Sequence, residues 1–220
     1  MLALTSCVSQ PATEQGRAAG GLYDLFMVLA AIIFTIVASL IGWSIVRYRR
    51  RPDDDSLPDQ FHTNVKLEIL WFAIPQLIVI GLFIASATVV ADIDEEVAEP
   101  TVVVRVESFQ WGWRFSYEGS DVVIESLPQD QAEIVLPTAT AIAFELTSRD
   151  VIHSFYVPEF LIKRDVIPGH DNRLDVTIDE AGTYTGRCAE FCGLLHDRMD
   201  FSIRAVPASD YERWLAGAGT

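Results

Sequence analysis

Two uncharged stretches constrain this chain before anything else does. Residues 25–46 run for 22 positions, and 69–91 for 23, without one Asp, Glu, Lys or Arg. At 1.5 Å rise per residue, each makes a helix of roughly 33 Å, enough to cross the hydrocarbon core of a bilayer. Core helices of a soluble protein are rarely so long and so evenly apolar. Pro75 and Gln76 inside the second stretch suit a span whose freed backbone groups meet a neighbouring protein. Between the stretches, Arg47, Arg49, Arg50, Arg51 and Lys66 make the 47–66 loop basic, which orients it to the cytoplasm. Asp53, Asp54, Asp55 and Asp59 lower its net charge, but the orientation rule counts bases. The expected layout is an extracytoplasmic segment over 1–22, a transmembrane hairpin over 23–91 and an extracytoplasmic domain over 92–220.

Charge follows the same division. The chain of 220 residues carries a net −15, and residues 92–220 hold −14 of it, with 24 of the 31 acids and 10 of the 16 bases. Such a surface repels phosphates and excludes a nucleic-acid partner, while it suits a basic protein or a cation. The first 91 residues are too few for a many-helix transporter, whereas the rest is one ordinary domain with a core. There the pattern turns to short β-rich runs, 101–107, 133–136, 141–146, 174–178, 183–186 and 201–206, separated by Pro, Gly or Asp. This spacing predicts a β-sandwich. Pro207, Ser209 and Asp210 ahead of Tyr211 to Leu215 predict a capped terminal helix. Near the N-terminus, Leu4-Thr5-Ser6-Cys7 resembles a lipoprotein cleavage box, although the apolar stretch before it is too short for a signal peptide. Either the start lies upstream or Cys7 is incidental.

Three cysteines cannot form a disulfide framework, so each needs its own explanation. Two lie in Cys188-Ala-Glu190-Phe-Cys192-Gly-Leu-Leu-His196-Asp-Arg-Met199, which packs two thiols, an imidazole and a thioether between two expected strands. His153 lies 35 residues before Cys188, at the edge of another strand. Soft sulfur with imidazole suits copper or zinc, not magnesium or calcium. A Cys188–Cys192 disulfide fits an oxidising compartment but leaves His153, His196 and Met199 unexplained. A two-Cys, two-His zinc site gives Met199 no role. A mononuclear blue-copper site leaves one cysteine over. A copper pair uses every ligand: two bridging thiolates, one histidine per metal, and Met199 with the Glu190 backbone carbonyl as weak axial contacts.

Over nearly its full length the chain resembles subunit II of the haem–copper cytochrome c oxidases. The resemblance implies a membrane-anchored all-β protein of the bacterial plasma membrane: a two-helix transmembrane hairpin, then an extracytoplasmic cupredoxin-like β-sandwich. It assigns the dinuclear copper centre (Cu-A) to His153, Cys188, Glu190, Cys192, His196 and Met199. It also assigns the Glu190 carboxylate to a magnesium ion shared with subunit I. The run Phe109-Gln-Trp111-Gly-Trp113-Arg-Phe115-Ser-Tyr117 alternates aromatic residues, as if five rings lined one face of a strand. Its counterpart in the family makes Trp111 the point where electrons arrive from a c-type cytochrome. Gly112 stands where family members often carry an aromatic residue. Lys163-Arg164-Asp165 matches a segment facing subunit I and the haem propionates. Glu68 is either a helix-end carboxylate or, by the resemblance, the opening of a proton-uptake path.

The implied function is to take electrons from a c-type cytochrome and pass them to the haem of subunit I, where oxygen is reduced with proton translocation. Partners would be subunit I, the other oxidase subunits and the cytochrome, alone or within a respiratory supercomplex. No Cys-x-x-Cys-His occurs, so the donor haem lies on another protein. Asp150, Glu159 and Asp197 are acids placed to attract a basic donor. The rival readings are a quinol-oxidase subunit, a copper-containing nitric oxide reductase and a membrane-anchored copper carrier. The intact ligand set disfavours the first.

Overall fold

The computed structural model describes residues 10–49 and 59–218, and the chain divides into two units near residues 21/22 and 88/89. Cys7, Arg50, Arg51 and the acids at 53–55 fall outside the described residues.

The helical unit comes from α1 (Glu14–Arg47) and α2 (Val65–Ile93). Glu14 opens α1 and Arg47 closes it, each on the end of the helix dipole that favours its charge. Large apolar side chains such as Phe34, Trp43, Phe72 and Phe83 stand exposed along both helices. A soluble protein does not leave such surfaces to water. α1 begins at Glu14, ahead of the expected start near residue 23, so part of the N-terminal segment is helical. At the start of α2, Asn64 Oδ1 accepts the Leu67 N–H at 3.2 Å and Glu68 Oε1 accepts the Asn64 N–H at 3.0 Å. This reciprocal arrangement caps the helix as a capping box does, with the acid one position later, and gives Glu68 a structural task.

The other unit is a sandwich of ten strands: β1 (Val102–Phe109), β2 (Gly112–Tyr117), β3 (Val123–Ser126), β4 (Glu133–Pro137), β5 (Ala141–Ser148), β6 (His153–Val157), β7 (Ile162–Val166), β8 (Asn172–Thr177), β9 (Gly182–Cys188) and β10 (Asp200–Val206). One sheet runs β3-β2-β1-β5-β8 and the other β4-β10-β9-β6-β7. The β1–β5 and β10–β4 pairs are parallel; the remaining neighbours are antiparallel. Alternation sets the core: Val102, Val104 and Val106 of β1, and Phe201, Ile203 and Ala205 of β10, turn inward. The helix α3 (Ala208–Ala218) starts just after Pro207, whose carbonyl accepts from Asp210 and Tyr211, and packs Tyr211 and Trp214 on Tyr117. The chain before the spans is sewn to the sandwich, with Ala12 N–H on Glu159 O at 2.8 Å and Asp179 N–H on Ala12 O at 2.9 Å.

The aromatic run is not one strand. Phe109 ends β1, Gln110 and Trp111 turn, and β2 carries only Trp113, Phe115 and Tyr117 into the core. Gly112 explains where the chain folds back, because a Cβ there would lie 2.7 Å from the Ser126 carbonyl of β3. At the centre, Phe155 stacks on Phe201 at 5.0 Å, and Trp113 meets both rings edge-on at 6.0 and 5.7 Å. Gly186 pairs with Phe201 across β9–β10, and a Cβ on it would fall 2.1 Å from that ring. The fully buried Phe201 ring has nowhere to retreat. Gly186→Ala is therefore expected to cost about 1–3 kcal/mol by overpacking. Thermal unfolding of the detergent-solubilised chain measures this, and an unchanged midpoint contradicts the packing described.

Candidate metal centre

Strand register brings the candidate ligands together. Phe155 of β6 lies opposite Cys188 of β9, which sets His153, at the start of β6, beside the end of β9. The loop from β9 to β10 then supplies Glu190, Cys192, His196 and Met199. Cross-links hold that loop: Cys188 N–H donates to Met199 O at 3.1 Å, Ala189 N–H to Ser154 O at 3.0 Å, and Trp113 Nε1–H to Met199 O at 3.0 Å.

The two sulfurs lie 3.9 Å apart and are not bonded to each other. Each has its own imidazole: His153 Nδ1 is 3.8 Å from Cys188 Sγ, and His196 Nδ1 is 3.6 Å from Cys192 Sγ. Each also has its own weak donor, the Glu190 carbonyl 3.3 Å from Cys188 and Met199 Sδ 3.3 Å from Cys192. The donor atoms of His153, Cys188 and Cys192 lie within 4.8 Å of one another, and all three residues are buried. His196 is half-buried and joins through Cys192. This donor set fits copper: soft thiolates between imidazoles, with a thioether and a carbonyl at the margins.

Asp150 orients the first histidine. Its Oδ1 lies 3.0 Å from His153 Nε2, so the Nε2 proton faces the carboxylate and Nδ1 is free to face sulfur. Burial alone would lower the His153 pKa, but the hydrogen bonds with Cys188 and Asp150 outweigh it and raise it. Burial likewise opposes ionisation of Asp150, yet His153 and the Val151 and Gln110 N–H groups pull its pKa down. For Cys188, burial works against the thiolate, but His153 and the Glu190 and Ser154 backbone bring the pKa down to about 7. Cys192 is pushed up to about 12 by burial and by the charge of Cys188.

Trp111 is half-exposed at the rim, and its Nε1–H donates to the Cys192 carbonyl at 3.2 Å. The Glu190 carboxylate points outward, 3.6 Å from Lys163 Nζ, which also holds Asp165 at 3.0 Å. Arg164 pairs with Asp94. Glu68 lies in the helical unit and is bound into the α2 cap. Phe191 and Leu194, next to the ligands, are 78% and 83% exposed.

Sequence reasoning missed the task of Asp150, grouped there with donor-attracting acids. Its spacing, three residues before His153, was the available signal. Gln110 and Gly193 were also missed, since their contacts arise only when the β1–β2 turn meets the ligand loop.

Fold and site define a membrane-anchored cupredoxin-like domain with a thiolate–imidazole centre. The family model for the periplasmic domain of cytochrome c oxidase subunit II matches residues 102–206, and that for its transmembrane domain matches 7–89. The chain belongs to the cytochrome c oxidase subunit II family, and α1 and α2 are its membrane-spanning helices. It is 33% identical to cytochrome c oxidase subunit 2 of Alkalihalophilus pseudofirmus over 98% of this chain, spanning 65% of that relative's length. It is also 33% identical to the probable subunit 2 of Streptomyces coelicolor, over 93% of this chain and 76% of that one. The solved periplasmic domain of subunit II from Bradyrhizobium japonicum superposes with a TM-score of 0.52 at 28% identity, over 56% of this chain and 96% of that one. A second solved structure, a mixed disulfide between a thioredoxin-like protein and a subunit II, gives a TM-score of 0.50 at 29% identity, over 56% of this chain and 96% of that one.

If Asp150 sets the His153 ring, Asp150→Ala weakens copper binding by roughly 10–100-fold. Competition with a chromogenic chelator reads the change, and an unaltered affinity contradicts the role.

Proposed function

We propose that this chain is the electron-accepting subunit of an aerobic terminal oxidase, reached by a c-type cytochrome and passing electrons to the haem of subunit I, with oxygen reduction there coupled to proton translocation. The observation that carries the reading is the doubled donor set: two buried thiols 3.9 Å apart, each with its own imidazole and its own weak donor. In this reading the Cys188 and Cys192 thiolates, the His153 and His196 imidazoles, Met199 and the Glu190 carbonyl would together hold two coppers. Two coppers held there would share one unpaired electron, supplying one-electron transfer with little ligand movement. A single zinc ion or a transient copper cargo has no use for six donors arranged as two matching sets.

The remaining residues take roles around that centre. Trp111 offers electrons a short route, one hydrogen bond from a half-exposed indole to the carbonyl of a ligating cysteine. Trp113 and the strands behind it exclude water and fix the His153 ring. The outward Glu190 carboxylate, with Lys163, Arg164 and Asp165, faces subunit I and supplies one ligand to a magnesium ion completed there. Glu68 opens proton uptake on the cytoplasmic side, using the carboxylate that also caps α2. The sandwich and both termini lie outside the cytoplasm, as the basic 47–66 loop implies. In that oxidising compartment the two thiols need a reductant before copper arrives, and a thioredoxin-like protein is the partner class, as in the solved mixed disulfide between such a protein and a subunit II.

Trp111→Phe, which keeps a ring but removes the Nε1–H, is expected to slow reduction by a c-type cytochrome by about tenfold or more in stopped flow. The copper spin spectrum should stay unchanged; an altered spectrum or an unchanged rate contradicts the role. Cys192→Ser, by contrast, should abolish the shared-spin spectrum, and its survival would contradict the bridging assignment.

A further inference from the structure

The turn between β1 and β2 is stapled to both ligand-bearing segments. On one side the Gln110 backbone N–H donates to Asp150 Oδ2 at 2.7 Å, and Asp150 Oδ1 holds His153 Nε2 at 3.0 Å. On the other, the Gln110 side-chain amide Nε2 donates to the Cys192 carbonyl at 2.8 Å. Trp111 Nε1–H shares that carbonyl at 3.2 Å, the longer of the two bonds. A carbonyl oxygen has two lone pairs, so both donors are accommodated. Gly193 completes the arrangement. It sits at φ +118°, and a Cβ on it would come within 3.1 Å of both Gln110 Nε2 and Trp111 Cζ2. Amide, indole and peptide are therefore in direct packing contact.

Core packing does not account for Gln110, which is exposed overall while its amide reaches inward. We propose that Gln110 is a positioning residue for electron transfer into the centre, holding the Trp111 indole against the Cys192–Gly193 peptide. This deepens the proposed function and rests on Trp111 being the point of electron arrival. Trp111 lies in a turn, half-exposed, with one hydrogen bond of its own. Without the shorter amide bond, the indole's own longer bond is left to tie the Cys192 carbonyl to the turn. A displacement of about 1 Å in a positioned group can cost on the order of 10²-fold in rate.

Two readouts test it on the full-length chain in detergent. In the ¹⁵N-labelled metal-free protein, the Trp111 indole N–H signal is identified by its loss in Trp111→Phe. Gln110→Leu, and Gln110→Glu, which sets an oxygen against the carbonyl, should both shift that signal and speed its exchange with solvent. The Trp113 indole, bonded to Met199 O, should stay put. An unmoved Trp111 signal in both variants overturns the proposal. In the copper-loaded oxidase, Gln110→Leu should slow reduction by a c-type cytochrome by roughly tenfold with the spin spectrum unchanged. A slowed rate with an altered spectrum also overturns it, because Gln110 would then act through the ligands. If the indole is released in Gln110→Leu while Trp111→Phe keeps the full rate, the electron role of Trp111 fails and the positioning of its ring stands.

Discussion

The candidate centre is organised around two buried sulfurs held 3.9 Å apart without bonding to each other. Left in an apolar interior, a pair of thiols either stays protonated or oxidises. Here the surroundings are arranged differently, with an imidazole facing each sulfur and a carbonyl or thioether completing each side. The β6–β9 register fixes one half of that arrangement and the β9–β10 loop the other. The fold and the centre are thus one construction: the aromatic stack of Trp113, Phe155 and Phe201 is the floor on which the His153 ring rests.

A hierarchy of contacts surrounds the pair. Asp150 chooses which nitrogen of His153 faces sulfur, and the same carboxylate receives the backbone of the β1–β2 turn. That turn carries Trp111, whose indole and neighbouring amide converge on the carbonyl of Cys192. A chain of short hydrogen bonds therefore runs from surface to ligand through Asp150 on one side and Cys192 on the other. Substituting any member moves its neighbours as well, so measured effects around this rim should be non-additive.

Much of this was legible in the sequence for identifiable reasons. The two spans were visible because long uncharged runs have few other uses, and the candidate ligands because sulfur and imidazole at that spacing have few other uses. Six donors were legible as residue types, while their pairing into two matching sets appeared only in three dimensions. The aromatic run misled because alternation continues through a turn: Phe109 and Trp111 keep the period of two while the chain reverses at Gly112. Asp150 looked like one more acid on an acidic surface, since a second-neighbour hydrogen bond leaves no spacing signature beyond its nearness to His153. Glu68 carried two readings, and the Asn64 cap shows its structural use without bearing on the other.

A doubled donor set that holds a copper pair must behave as one electron carrier. The most direct measurement loads the full-length, reduced chain with copper in detergent and determines metal content together with the electron spin resonance spectrum. The expected result is two coppers per chain sharing a single spin over both nuclei. One copper per chain with an isolated-ion spectrum, or preferential zinc with no signal, would contradict it.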